Sequence, residues 1–263
     1  LRPDANLELD LGLDSMERVE LLTELEQRFG VKVPEAVMHE ITTVRQLVEA
    51  VRPEGEAAVG AVDAAWSTLL ADVPPATDPV LGRLLESRPV ATWMFWVVAR
   101  IVGRLLTRVD VTGLEHLPAK GPYLLCPNHQ GYFDPFLLCS VLPYRVFREM
   151  FVVGAAEYFQ TPLTQWLARQ VNLVPVDPDS ALVSAMKAGA FGLSHGRVLL
   201  LFPEGERSID GTVKRFKKGA PILAAHAGVP IVPVALKGIW EMWPRTRSID
   251  WRFVGPWRRH RVR

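Results

Sequence analysis

The sequence predicts an α/β domain, with a mostly parallel sheet flanked by helices, preceded by a small all-α domain. Three observations predict it. Short apolar runs at Tyr123–Cys126, Met150–Val153, Leu173–Val176, Val198–Phe202 and Ile231–Leu236 alternate with helical stretches around Phe136–Val141, Gln160–Val171, Ala181–Ser194 and Pro221–Ala227. Such alternation implies parallel strands joined by crossover helices. Before residue 53 the pattern is helical only. Charge divides at the same place: residues 1–52 hold 6 Lys+Arg against 11 Asp+Glu, while the whole chain is formally +1, so the remainder is basic.

In the first segment, Met16, Val19, Leu22, Leu25 and Phe29 recur at spacings of three and four and share one helix face. Asp14 with Glu17 three residues on forms a capping-box pattern, and Gly30 closes the helix. A second helix begins at Thr42 or Thr43 and runs through Leu47 to Val51. Residues 54–85, rich in Ala, Pro and small polar residues, read as a linker, with a short helix allowed over Trp66–Leu70. The expected organisation is therefore residues 1–53, linker 54–85, and 86–263.

Val90–Ala99 is apolar throughout and is then interrupted by Arg100 and Arg104. A bilayer span needs about 20 apolar residues, so this run is too short. It reads either as a buried core helix or as an interfacial helix. In the second case Trp93 and Trp96 sit at headgroup depth while Arg100, Arg104 and Arg108 meet lipid phosphates.

Composition excludes several classes. With 263 residues, 49% hydrophobic and 22% charged, the chain is neither a disordered tail nor a fibre. Its two cysteines, Cys126 and Cys139, make no disulfide framework and read as buried thiols. No metal-ligand spacing is present, and the apolar residues near the start are broken by acids, unlike a signal peptide.

Two constellations can do chemistry, each on a loop at a strand end, where open α/β sheets place their sites. Asn128-His129-Gln130-Gly131-Tyr132-Phe133-Asp134 follows the first apolar strand. Across a Gly-containing turn Asp134 can hydrogen-bond His129, fix its tautomer and leave the other ring nitrogen to take a hydroxyl proton. The same pair also reads as a loop histidine beside a helix-capping aspartate. Phe202-Pro203-Glu204-Gly205-Glu206-Arg207-Ser208 follows the run Val198–Leu201. Gly205 permits a tight turn, and Arg207 can grip a phosphate bidentately. Phe216-Lys217-Lys218-Gly219 then starts a helix, and its lysines add to an anion site or serve as solvated surface charge. A Gly-rich nucleotide loop is absent, and the chemistry that fits these two loops is direct transfer of an activated acyl group to a hydroxyl.

These blocks, with Val229-Pro230-Ile231-Val232-Pro233-Val234, make residues about 86–255 resemble the glycerolipid acyltransferases of the lysophosphatidate acyltransferase type. The resemblance implies His129 as general base, Asp134 as its orienting partner, and Glu204, Gly205 and Arg207, extended by Lys217, as the acceptor-phosphate site. It implies a donor that is acyl-CoA or an acyl carrier protein thioester, and a lysophospholipid or glycerophosphate-type acceptor. It further implies a peripheral or monotopic place on the cytoplasmic face of the membrane, and no nucleic acid partner. Two departures shift the balance towards a lysophospholipid. The family's Phe-Ile-Asp-Arg-like run is Leu173-Val174-Pro175-Val176-Asp177-Pro178 here, without the arginine, and Glu206 stands where Thr is common. Arg245 is an alternative cation, or a surface arginine after an aromatic cluster.

Leu11-Gly12-Leu13-Asp14-Ser15-Met16 and the acidic helix after it resemble an acyl carrier protein. That resemblance implies 4'-phosphopantetheine on Ser15 and a first carrier helix lying before Leu1, while the acyltransferase resemblance implies a C-terminal end cut short of a further strand. Together they also imply an upstream adenylate-forming acyl-activating domain in a longer protein. Two rival functions remain open at this level: a non-catalytic membrane-docked carrier and lipid-binding module, and a His-dependent thioesterase.

Overall fold

The computed structural model describes residues 2–38, 40–51, 66, 69–71, 78, 80–86, 89–154, 161–176, 182–253 and 260–263. Most of the expected linker, Ala181 at the start of one expected helix, and the Asp177-Pro178 pair lie outside the described residues.

The sheet has five strands in the order β4-β3-β5-β2-β6, all parallel. They are β2 (Tyr123–Pro127), β3 (Met150–Gly154), β4 (Leu173–Pro175), β5 (Val198–Leu200) and β6 (Ile231–Val234). All five apolar runs became strands, because a parallel sheet covered on both faces needs continuous apolar strands. Alternate residues serve opposite faces. Leu124, Cys126, Phe151 and Leu199 join one buried cluster, and Tyr123, Leu125, Met150, Val198 and Leu200 join the other. Helices α8 (Leu182–Ser194) and α9 (Gly219–Ala227) cover the first face. Helices α4 (Pro89–Leu106), α5 (Asp134–Val141) and α6 (Tyr144–Phe147) cover the second. Helix α7 (Pro162–Gln170) connects β3 to β4. β6 is an edge strand, which is where Pro233, having no N–H to donate, is tolerated.

A separate parallel pair joins β1 (Thr107–Val109) to β7 (His260–Val262), two strands too short to read from the sequence. From the expected linker, Trp66, Leu70, Leu81 and Leu84 are buried in the α8/α9 cluster, so these described residues serve the core.

The N-terminal domain comprises α1 (Ser15–Phe29), α2 (Glu35–Met38) and α3 (Val44–Ala50) around Leu7, Leu22, Val33, Ile41, Leu47 and Val51. Asp14 and Glu17 form the expected capping box, and Gly30 ends α1 at φ 67. The structure splits the expected single stripe of α1. Leu22 points into its own domain, with Leu25 and Phe29 packed alongside, whereas Met16 and Val19 are buried in the α8/α9 cluster of the larger domain. A helix that serves two cores shows one broad apolar stripe in sequence, and only packing divides it.

Candidate active site

β2 delivers Asn128 and His129 to the carboxyl edge of the sheet. The Asn128 side chain donates to the Leu236 carbonyl (3.0 Å) and accepts from the Leu236 N–H (2.6 Å), tying this loop to the segment after β6. Gln130 accepts from the Ile239 N–H at 3.2 Å. Gly131 runs so close to the chain that a Cβ there would lie 2.5 Å from the Trp243 carbonyl oxygen. This loop therefore admits no larger residue at position 131 without moving.

His129 Nδ1 lies 2.7 Å from Asp134 Oδ2. Asp134 is fully buried at the start of α5, and the same oxygen accepts from the N–H groups of Gln130 (2.6 Å) and Gly131 (3.0 Å). With two backbone N–H groups already on that oxygen, the geometry suits an Nδ1–H donating to it, which sets the ring tautomer. That leaves Nε2 as the nitrogen able to take a proton. The imidazole stacks on Phe202, with ring centroids 3.9 Å apart and planes 21° from parallel.

The second loop reaches the first through Glu204. This carboxylate, 2% exposed, accepts from the His129 N–H (2.8 Å) and the Lys214 N–H (2.8 Å). The His129 carbonyl in turn accepts from the Ser208 N–H at 2.8 Å. Glu204 therefore bridges three segments, a role its place in the motif did not reveal. Gly205 turns at φ 74, and a Cβ there would sit 2.8 Å from Lys217 Cε. The turn thus provides both the sharp bend and the lane for the Lys217 stem.

Arg207 lies with its guanidinium 3.9 Å from the centre of the Tyr132 ring, a cation–π contact that places a cation on the loop joining His129 to Asp134. Tyr132 packs on Trp243 at 4.9 Å. Glu206 pairs with Lys214 at 2.7 Å and with Arg245. These hydrogen bonds, Lys214 first, hold its carboxyl below the usual range. Arg245 thus sits at the rim of the phosphate block, bound to the very acid that departs from the family pattern. Lys217 donates its backbone N–H to Pro203 (2.7 Å), and its ammonium reaches Ser15 Oγ at 3.3 Å, facing the N-terminal domain. An apolar pocket of ≈ 760 Å³, counted with its open mouth, is lined by Ser15, Met186, Leu199, Phe202, Gly205 and Leu223 among others.

Cys126 and Cys139 are both buried, and burial pushes their thiols up to about 11 and about 12, so neither supplies a thiolate nucleophile. Among the described residues no cluster of His, Cys, Asp or Glu can hold a metal ion.

On α4, Trp93 and Arg104 face solvent. Trp96 and Arg100 turn inward. The Trp96 Nε1–H donates to the Leu142 carbonyl (2.9 Å), its ring packs on Tyr144 (5.4 Å), and Arg100 lies over that ring at 4.8 Å. The apolar side left exposed is Val90, Trp93, Met94, Val98, Ile101 and Leu105. Among the described residues no helix is long and apolar enough to cross a membrane.

Residues 108–237 match the family model described as Acyltransferase, and residues 1–51 match the one described as Phosphopantetheine attachment site. The chain is 34% identical over 141 residues to 1-acyl-sn-glycerol-3-phosphate acyltransferase BAT2, chloroplastic, of Brassica napus, covering 52% of this chain and 39% of that protein. It is 29% identical over 182 residues to 1-acyl-sn-glycerol-3-phosphate acyltransferase alpha of Homo sapiens, covering 68% and 62%. A 1-acyl-sn-glycerol-3-phosphate acyltransferase of Pseudomonas aeruginosa is 31% identical over 158 residues, covering 59% and 56%. The chain therefore spans less than two thirds of each of these relatives. The crystal structure of the 1-acyl-sn-glycerophosphate acyltransferase PlsC from Thermotoga maritima shares the fold, with a TM-score of 0.51 at 23% identity, covering 76% of this chain and 82% of that one.

Proposed function

We propose that the chain, whose residues 108–237 match the Acyltransferase model and whose residues 1–51 match the Phosphopantetheine attachment site model, moves a fatty acyl group from a thioester to a hydroxyl of a lysophospholipid or acylglycerol phosphate. The observation that carries this reading is the 2.7 Å contact between His129 and the fully buried Asp134, at a strand end beside Arg207.

The acceptor hydroxyl attacks the thioester carbonyl while His129 Nε2 takes its proton. Asp134 keeps Nδ1 protonated and stabilises the imidazolium that forms. Collapse of the tetrahedral intermediate breaks the C–S bond, and the imidazolium returns the proton to the leaving thiolate. The products are an ester and a free thiol, and His129 ends as it began. Phe202 holds the ring plane, which limits the loss of orientation between turnovers. Arg207 supplies the cation for an acceptor phosphate.

Ser15 fits attachment of 4'-phosphopantetheine: its hydroxyl is partly exposed at the start of α1, beside a cation and at the mouth of an apolar pocket. When bound, that group supplies a thiol on a flexible arm, able to carry an acyl chain as a thioester. The exposed side of α4, with the exposed Trp166 on α7, supports peripheral binding at a membrane surface. Here Trp93 and Arg104 take the interfacial places, while Trp96 and Arg100 brace the helix from within.

The test is thiol release from a labelled acyl thioester, with and without lysophospholipid, for the chain and its His129→Ala variant. Acceptor-dependent release that the variant loses is the expected outcome. Retained turnover in the variant overturns the mechanism. Release indifferent to acceptor indicates a thioesterase, and lipid binding without release indicates a binding module.

A further inference from the structure

We infer that the N-terminal domain docks in cis on the Arg215–Lys218 turn, and that Lys217 is the cation for the phosphodiester borne by Ser15. This inference rests on the reading of Ser15 as an attachment site. It assigns Lys217 to the donor side and leaves Arg207 as the acceptor-side cation.

Three observations support it. The first is apolar. Met16, 2% exposed, lies with its Cε 4.0 Å from where a Cβ on Gly219 would stand, in the same place that Met186 Sδ approaches to 3.6 Å. Met16, next to Ser15, and Val19 one turn on are thereby buried in the larger domain's cluster. The second is electrostatic. Lys218 Nζ lies 3.3 Å from Glu17 Oε1 and 3.3 Å from Glu20 Oε2, and Arg215 lies 3.7 Å from Glu17. Both acids flank the Met16/Val19 stripe, so the charged and apolar contacts fix one register. The third is the placement of Lys217. Its backbone is held by Pro203 and its stem passes Gly205, so the ammonium is aimed at Ser15 Oγ, 3.3 Å away.

A lysine facing a neutral hydroxyl gains little. A phosphodiester on that oxygen turns the contact into a charge-assisted one. The N-terminus of α9, nine residues long and starting at Gly219, adds its dipole. Half-exposed ion pairs are individually weak. Tethering makes them sufficient, because a domain on the same chain is present at an effective concentration of about millimolar. The pocket that begins at Ser15 continues to Phe202, whose ring lies against His129. An arm that starts at Ser15 therefore meets an apolar pocket whose wall includes the ring stacked on the catalytic histidine.

Two readouts independent of turnover test this on the full chain after treatment with a phosphopantetheinyl transferase. The 31P resonance of the Ser15 phosphodiester should shift in Lys217→Ala and at about 0.5 M salt, where screening lengths fall to a few ångströms. Amide exchange across residues 15–24 should quicken at least tenfold in Lys218→Glu. It should slow again when Glu17→Gln and Glu20→Lys are added, since glutamine at position 17 preserves the cap of α1. A phosphodiester resonance that ignores Lys217, or exchange that ignores Lys218, overturns the inference while leaving the proposed reaction standing. No phosphodiester resonance at all overturns the Ser15 reading and the inference with it. Both measurements run equally on His129→Ala, so loss of the proposed catalysis does not obscure the docking result.

Discussion

Two places bring distant segments together, and they are held by opposite means. Around His129, the ties are made by buried acids: Asp134 is wholly enclosed, Glu204 nearly so, and the loops share backbone hydrogen bonds. At the seam between α1 and α9, one methionine and one valine are buried, Lys217 reaches Ser15, and Lys218 and Arg215 form ion pairs while open to solvent. Buried hydrogen bonds are costly to break because each orphaned group loses its hydration. Exposed ion pairs are screened and cheap to exchange for water. The first arrangement suits a site that must keep sub-ångström geometry, and the second suits a contact that must release a loaded domain.

Asp134→Asn should break the comparison most sharply. The amide keeps the shape but cannot hold the imidazole in the required tautomer, so kcat should fall by about 10²–10⁴, the range of general acid–base contributions. Steady-state kinetics and thermal unfolding check this: a large kcat loss with an unchanged Tm is expected, and a matched fall in Tm would make Asp134 structural. Glu204→Ala should come next. It orphans the N–H groups of His129 and Lys214, costing about 1–3 kcal/mol, and it loosens the His129 loop. Denaturant unfolding reads the first effect and acceptor-dependent turnover the second. A variant of full stability would mean water replaces the carboxylate.

The smallest effect concerns pH at the seam. The Asp14 N–H, then Lys218 and Arg215, hold the Glu17 carboxyl below its usual range of about 4.5. A carboxylate with a lowered folded pKa stabilises fully above its ordinary value and ceases to do so as pH falls through the folded one. Amide protection in residues 15–20 should therefore decline below about pH 4.5 while the His129 loop stays protected. Simultaneous loss in both regions would show that the seam is not separately weak.

Much of this was legible in the residues. The five apolar runs became the five strands, since nothing but a doubly covered sheet accommodates so many short continuous apolar segments. The His129–Asp134 spacing named a pair that the structure brings to 2.7 Å. Other roles were not legible because they depend on what the chain meets from afar. Glu204 sits where an anion reader is expected, yet both its oxygens are taken by backbone N–H groups. Trp96 and Arg100 look alike with Trp93 and Arg104 in an apolar run, and only the position of Leu142 and Tyr144 sorts them.

By itself the sequence determined the succession of the five sheet strands and the helices α5, α7, α8 and α9 between them, the capping of α1, the two chemical loops and the charge division, because each is set by neighbours within a few residues. Tertiary structure alone decided the strand order, the division of α1 between two cores, the bridging role of Glu204 and the meeting of Lys217 with Ser15 across 202 positions of chain. Local patterns record what a residue buries. Its partner in that burial is chosen only when the chain closes on itself.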